Sequence, residues 1–520
     1  MRVVSAEQMR LCEEIAGRDH GLPGLVLMEN AGQGIVAAMA GFSGNLSGRK
    51  VLILAGPGNN GGDGLVMARH LLEQGALPQV VSLAPLERFS GDAIVNLRQL
   101  RDLPVPLRLC LGQGDLVWLE ELVAGSDLLV DAIFGTGLQR EVSGIFAQAV
   151  QCLNRATAPV VAVDLPSGID SDSGQPLGVA VRATLTCACG MAKPGHFLQP
   201  GREYAGQLKV IDIGIPAAVM DRAGAALDLL DARTVAPWLP ARSAADHKGT
   251  YGHVLLMAGS TGKAGAGLLC GMGALRSGAG LVSMTAPQAL NAIFQMVLPE
   301  AMTVALPFSR HFFSDADQEQ IVAAIAGKTA LVVGPGLGTA EETGRLLEKI
   351  IGEAPLPMVV DADGLNLLAP RLALLATAPA PRILTPHPGE MSRLTGMSTG
   401  DIQKNRIGVA AEFAARHGVY LVLKGMATVV AAPDGRLAVN PTGNPGMAAG
   451  GMGDVLSGLL AGLLAQGVAP WEAACLAVYA HGLAADRLVA AGRPFGFLAG
   501  ELAAEIPAAF GAVLAGRAEK

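Results

Sequence analysis

The sequence predicts an α/β protein of two domains, the first built on a Rossmann-like, doubly wound parallel sheet. Three observations carry this. At 520 residues the chain is too long for one ordinary hydrophobic core. Short apolar runs bounded by turns alternate with helix-length segments, as in parallel strands covered on both faces. Polar, glycine-rich turns follow those runs, at the strand ends where open parallel sheets take their ligands.

Composition narrows the class. The chain is 51% hydrophobic and 16% charged, which excludes disorder, and its 68 glycines against 4% aromatics describe many close backbone approaches. A net charge of −7 offers no basic field, so nucleic acid is not an expected partner. Seven scattered cysteines show no disulfide framework. Cys187 and Cys189 alternate onto one face of a strand and read as core thiols of a reducing compartment. No apolar run follows a basic start, and stretches such as 459–464 are too short to span a bilayer, so a cytoplasmic enzyme without membrane association is expected.

Taken in order, residues 1–40 read as two helices. Ser5 and Gln8 form a capping box ahead of Met9, Cys12 and Ile15 on one face. After a turn at 21–24 the second helix carries Leu27, Met28, Ala31, Ile35 and Val36. Strands are expected at 51–55, 79–83, 107–111, 128–132 and 160–164, and 182–213 adds strands that close the sheet. Three turns fall at its carboxyl edge. GPGNNGGDG (56–64) stands where a dinucleotide fingerprint would, without spelling GxGxxG, and Asn59 and Asn60 add amides able to bind a ligand or cation. DAIFGTGLQRE (131–141) puts Asp131 at a strand end. VDLPSGID (163–170) puts Asp164 and Ser167 at the next, with Asp164 the acid placed for proton transfer. The Pro- and Ala-rich stretch 216–244 reads as a linker between domains 1–215 and 245–520.

The second domain opens with strand GHVLLMAGS and a glycine-dense helix, 262–280, which must pack closely on something; homo-oligomerisation and internal packing both remain open. Strands recur at 330–334, 358–361, 382–385, 420–424, 427–432 and 437–439. Their turns are GPGLG, DADGLN, TPHPGE and KGMAT. Lys424, Gly425 and Thr428 suit a nucleotide phosphate or ribose, and His387 is held between two prolines. The stretch NPTGNPGMAAGGMGDVLSG (440–458) is nearly free of side chains before it turns helical at Asp454. Free N–H groups and the helix dipole make an anion site there, and Asp454 stands at its lip as a proton-exchanging carboxyl.

Along nearly its whole length the chain resembles the bifunctional NAD(P)H-hydrate repair family, an NAD(P)HX epimerase fused to an ADP-dependent NAD(P)HX dehydratase of ribokinase-like α/β fold. GPGNNGGDG and VDLPSG carry the first half of the resemblance; HKGTYGHV, GPGLG, DADGLN, TPHPGE, KGxxT and NPGMAAGGMGDVLSG carry the second. One departure is Met452, in GMGD where relatives often have GTGD.

By position the resemblance implies that Asn59, Asn60, Gly61, Gly62 and Asp63, with Gly135, Thr136, Gly137, Leu138, Gln139, Arg140 and Glu141, line the epimerase's hydrated-nucleotide site. Asp164 would meet the damaged ring, and Asn60, Asp131 and Ser167 would hold a potassium ion (K+). In the dehydratase, Ala264, Gly338, His387 and Asp454 would surround NAD(P)HX, while Lys424, Gly425, Met426, Ala427, Thr428 and Gly453 would contact ADP, the co-substrate. Mg2+ is expected with the nucleotide, without an evident ligand set, and ADP over ATP rests on the resemblance alone. The rival readings are a plain ribokinase-like kinase, which leaves the first domain unexplained, and a non-catalytic nucleotide sensor. A dehydrogenase is disfavoured by the missing GxGxxG.

Overall fold

The computed structural model describes residues 2–224 and 227–516, and the chain divides into two compact units after Leu227. In the first unit the strands are β1 (Lys50–Ala55), β2 (Leu77–Ser82), β3 (Leu107–Leu109), β4 (Leu128–Ala132), β5 (Val160–Val163), β6 (Leu185–Cys189) and β7 (Gln207–Ile211). They lie in the order β3-β2-β1-β4-β5-β6-β7, each parallel to its neighbours. Alternation along β1 explains the double cover. Val51, Ile53 and Ala55 enter a core beneath α1 (Ala6–His20), α2 (Gly24–Ser43) and α3 (Asn59–Glu73), while Leu52 and Leu54 enter a second core on the other face. The predicted capping box is formed: Gln8 N–H donates to Ser5 Oγ at 3.1 Å and Ser5 N–H to Gln8 Oε1 at 3.0 Å. The order reverses between β1 and β4, and a crevice opens at that switch point.

The expected linker is built into both units. Val219, on the short helix Ala217–Arg222, lies in the first unit's core, whereas Leu230, Val235 and Ala236 lie in the second unit's core.

The second unit contains β8 (His253–Met257), β9 (Leu281–Pro287), β10 (Met302–Leu306), β11 (Ala330–Val333), β12 (Met358–Val360), β13 (Arg382–Leu384), β14 (Tyr420–Leu423), β15 (Val429–Ala431) and β16 (Leu437–Val439). These lie in the order β16-β15-β14-β13-β12-β11-β8-β9-β10, parallel except for the antiparallel β14–β15–β16 meander. The sequence reading passed over β9 and β10. β9 buries Ser283 and Thr285, whose hydroxyls meet His253 and the Leu256 carbonyl, so its apolar run is broken by satisfied polar residues. β10 is a half-exposed edge strand.

The glycine-dense helix is α4 (Ala264–Arg276), and it packs within its own unit against α5 (Met452–Ala465). A methyl group on Gly458 would overlap the Cys270 carbonyl oxygen, and one on Gly273 the Val455 carbonyl. The helix α6 (Pro470–Ala490) packs beside α5.

Apolar length was also underestimated. Gly24–Ser43, Pro470–Ala490 and Ala499–Gly516 are long and apolar enough to cross a membrane by length and composition. Here each commits an apolar face to a core, for example Leu27 and Ile35, Leu476 and Val478, Leu502 and Ile506.

Candidate active sites

In the first unit a cavity of about 830 Å³ opens at the carboxyl ends of β1, β4 and β5. Asn59, Asn60, Asp63, Asp164 and Gly135 to Gln139 line it, as expected, together with Glu13, Cys189 and Lys193. Gly61 and Gly62 do not reach it. They face inward from α3, where a methyl on Gly61 would overlap the Gly56 carbonyl oxygen and one on Gly62 would stand 2.7 Å from Met28 sulfur. Arg140 and Glu141 are exposed and stand outside the lining.

Asp164 is the most constrained residue of the site. The strand ends at Val163, and Asp164 turns into the left-handed region at φ 63°, rare for a residue with a Cβ. Its carbonyl faces His196 Nε2 at 2.8 Å, while His196 Nδ1 accepts the Lys193 N–H at 2.9 Å, which assigns the ring proton to Nε2. Its Oδ1 accepts the Cys189 N–H at 3.1 Å and the Lys193 ammonium at 2.5 Å. Lys193 is 1% exposed and also donates to the Cys189 carbonyl at 3.0 Å. Burial, reinforced by the Lys193 charge, lowers His196 to about 4 and keeps it neutral.

Lys193 and His196 escaped the sequence reading. Their signal was AKPGH (192–196), a lysine in a Pro-Gly turn just beyond a strand. Cys187 is a core thiol as expected, but Cys189, the last residue of β6, opens onto the cavity. Burial and the nearby Asp63 and Asp164 charges raise its thiol far above the ordinary value. Burial likewise raises Asp63 well above the carboxylate range, with Asp164 and Glu13 adding to the effect.

Asp131 and Ser167 do meet. Ser167 Oγ donates to Asp131 Oδ1 at 2.5 Å, Ser167 N–H to Oδ2 at 2.8 Å, and Phe134 N–H donates to Ser167 Oγ at 2.8 Å. Asp131 is fully buried, and burial pushes it to about 6 against the pull of the Ser167 hydrogen bonds. Asn60 is 8% exposed and its Nδ2 has no partner. The Asp131 carboxylate and the Ser167 hydroxyl are hard oxygens of the kind a monovalent cation takes, whereas the atom of Asn60 left without a partner is its amide nitrogen, a donor, so Asn60 fits such a site only through its Oδ1.

In the second unit the acidic turns converge beyond β11 to β14. Asp361 is 1% exposed; its Oδ1 accepts the Lys424 ammonium at 2.6 Å and its Oδ2 the Ser457 hydroxyl at 2.6 Å. Burial alone would lower the Lys424 ammonium, but the Asp361 and Glu390 carboxylates more than offset it and hold Lys424 charged. Lys424, expected at ADP, is therefore first the counter-ion of Asp361. The rest of its turn is tightly set: Gly425 and Ala427 have φ of 139° and 54°, Thr428 Oγ donates to the Gly425 carbonyl at 2.9 Å, and Met426 projects outward. Arg406, 3% exposed and unremarked in the sequence, anchors it by donating to the Leu423 and Lys424 carbonyls at 2.9 and 3.2 Å.

His387 is a helix cap. Its Nδ1 accepts the Gly389 and Glu390 N–H groups at 3.0 and 3.3 Å, and Glu390 returns the contact by accepting the His387 N–H at 2.8 Å. Gly338 donates its N–H to Asp363 at 2.8 Å, and Asp363 pairs with Lys263, the residue before Ala264, at 2.8 Å.

Asp454 lies in the first turn of α5, behind Gly451 at φ 91°. A methyl on Gly453 would stand 3.2 Å from Lys424 Nζ, so the loop lies directly on the Lys424–Asp361 pair. Burial, with the charges of Asp361, Glu390 and Asp363 adding and Lys424 opposing, raises Asp454 to about 7. The preceding loop is clamped by α6: Gly443 N–H and Asn444 Nδ2 both donate to Asp486 at 2.9 Å.

Residues 254–508 match a family described as NAD(P)H-hydrate dehydratase, and residues 24–195 one described as YjeF-related protein N-terminus. The chain is 40% identical over 509 residues to a bifunctional NAD(P)H-hydrate repair enzyme of Moorella thermoacetica, covering 98% of this chain and 96% of that one. It is 34% identical over 509 residues to the Escherichia coli protein of the same description, covering 96% and 92%. Among solved structures it is similar to a Bacillus subtilis ADP/ATP-dependent NAD(P)H-hydrate dehydratase, co-crystallized with ATP and Mg2+, at 36% identity and a TM-score of 0.50. The match covers 55% of this chain and 98% of that one.

Proposed function

The chain belongs to the bifunctional NAD(P)H-hydrate repair enzyme family, and on that premise we propose a function for each unit. The first interconverts the R and S forms of NAD(P)HX, reduced nicotinamide nucleotide carrying a hydroxyl at ring carbon C6. The second dehydrates the S form to NAD(P)H at the expense of ADP, giving AMP and phosphate.

In the first unit the hydrated ring lies against Asp164, between the turns that carry Asn59 to Asp63 and Gly135 to Gln139. The ring nitrogen's lone pair expels the hydroxyl and Asp164 carries a proton. Asp131 and Ser167, with the Asn60 amide oxygen, would hold K+, which would supply positive charge beside the buried Asp131.

In the second unit, Ala264, Gly338, His387 and Asp454 surround the S form, and the 424–428 turn with Gly453 takes ADP. Asp454 removes the proton of the C6 hydroxyl as its oxygen attacks the β-phosphorus of ADP, and AMP departs. Phosphate then leaves with the C6–O electron pair, and loss of a C5 proton restores the ring double bond. The N–H groups of the glycine loop stabilise the migrating phosphoryl charge. Among the described residues no three His, Cys, Asp or Glu side chains are grouped to hold a metal ion; Mg2+ would enter with the nucleotide's phosphates and would offset their charge.

The observation that carries the reading is Asp454, raised to about 7 at the mouth of a helix N-terminus, where a carboxyl can accept a proton near neutral pH. The test follows absorbance at the reduced-nicotinamide band with racemic NADHX, with and without ADP. Wild type recovers all the material with ADP, Asp164→Asn only the S half, and Asp454→Asn none. A wild type that recovers nothing with ADP or ATP removes the repair reading, and phosphorylated product would point to a kinase.

A further inference from the structure

Two arginines of the second unit are buried without a carboxylate. Arg382 and Arg406 are 1% and 3% exposed, and among the described residues neither forms an ion pair. Burial lowers each only to about 10, so both stay charged at neutral pH. Arg382 spends its donors on the fold. Its three nitrogens reach the Ile351, Ala354, Leu356 and Ala380 carbonyls at 2.8 to 3.0 Å, closing the end of the helix Glu341–Glu353.

Arg406 opens the helix Arg406–His417 and is placed differently. Its Nη1 donates to Gln403 Oε1 at 2.6 Å, its Nη2 to the Leu423 and Lys424 carbonyls at 2.9 and 3.2 Å, and its Nε has no partner. The guanidinium lies directly behind the turn that follows β14, where a methyl on Gly425 would stand 3.1 Å from Nη1. A buried cation with an idle donor and no counter-ion favours negative charge nearby.

The turn can present that charge on its outer side. The Lys424 carbonyl and the Gly425 N–H are opposite ends of one trans peptide, so the guanidinium on the carbonyl turns the N–H away from itself. The Thr428 hydroxyl does the same to the next peptide, holding the Gly425 carbonyl at 2.9 Å and turning out the Met426 N–H. Neither N–H meets an acceptor among the described residues, and Gly425 and Met426 are both exposed. Two adjacent N–H groups, the first polarised by a cation behind it, make an anion-binding nest.

We infer that Arg406 is a positioning residue of the nucleotide site: through the turn it aims the Gly425 and Met426 N–H groups at the phosphates of ADP and supplies the positive charge behind them. The inference rests on the dehydratase reading above. Arg406 touches the turn and not the nucleotide, so it responds to the number of phosphate charges and not to adenine or ribose. Conversion of ADP to AMP removes a phosphate from its field, which loosens the product and aids its release.

The experiment measures ADP and AMP binding to the full chain by calorimetry, then the ADP dependence of S-form recovery. Arg406→Gln keeps a carbonyl contact but loses the charge. It should weaken ADP about 30-fold and AMP about fivefold, raising the KM for ADP while the KM for NADHX and kcat stay within about threefold. Arg406→Lys keeps the charge and should hold ADP within about fivefold of wild type, which decides the matter should Arg406→Gln fold poorly. Arg382→Gln, the control for a buried arginine that serves the fold alone, should lower the melting temperature and leave the preference for ADP over AMP intact. Unchanged ADP affinity in Arg406→Gln, equal losses of ADP and AMP, an Arg406→Lys as weak as Arg406→Gln, or the same selective loss from Arg382→Gln would overturn the inference. A wild type that binds no ADP and recovers no S form would instead sink the dehydratase reading itself.

Discussion

Asp454→Asn should make the second unit more stable while abolishing its chemistry. Its carboxyl is raised from 3.8 to about 7, chiefly by burial and then by Asp361. Below pH 3.8 it is protonated in both folded and unfolded chains and costs nothing. As pH rises the unfolded chain ionises first, so the native state carries a growing penalty that is complete above pH 7. The full shift corresponds to roughly 4 kcal/mol at 1.36 kcal/mol per pH unit. Contact with water and the sharing of one field among several carboxyls reduce this to about 2 kcal/mol. An amide escapes the penalty. Native-state amide exchange in α5, compared with wild type at the same pH, should therefore slow about thirtyfold at pH 8 and by much less at pH 5. Equal or faster exchange at pH 8, or the same gain at both pH values, would refute the argument.

Other consequences follow from the same contacts. Lys193→Met leaves Asp164 buried without its partner and should destabilise the first unit by about 3–5 kcal/mol, with much of this recovered in Lys193→Met/Asp164→Asn; exchange in β5 reads both. Gly458→Ala drives a methyl into the Cys270 carbonyl and should cost about 3 kcal/mol or more. Gly511→Ala, with nothing within 4 Å, should gain about 0.5–1 kcal/mol, both read from urea midpoints. Replacing K+ with tetramethylammonium should slow recovery of the R half but leave the S half unchanged, and Asp131→Asn should erase that difference.

Much of this protein is written locally. The buried runs of β1, β4 and β5 need only their own composition to be read, because parallel strands covered on both faces are apolar throughout. The Ser5–Gln8 box and the glycine turns are legible because capping and positive φ act over a few residues. The turns place Asp131, Asp164, Ser167 and Asp454 at strand ends or a helix start for the same reason.

The rest depended on residues far apart in sequence. Lys193 becomes a charge partner because β6 lies beside β5 and brings the Lys193 turn to Asp164; alone it is one lysine after a strand. Glu13 joins the cavity because α1 lies against the turn after β6, where a methyl on Gly190 would stand 2.7 Å from Met9 Cε. β9 and β10 were hidden because one satisfies its buried hydroxyls through β8 and the other is an exposed edge. The raised Asp454 needs Asp361, Glu390 and Asp363 brought together from different turns. Sequence by itself determined which backbones turn, cap and extend, since those energies are local. Which charges are buried together, and so which carboxyls hold protons near neutral pH, was decided only by the tertiary fold, because burial and Coulomb interactions depend on distance in space.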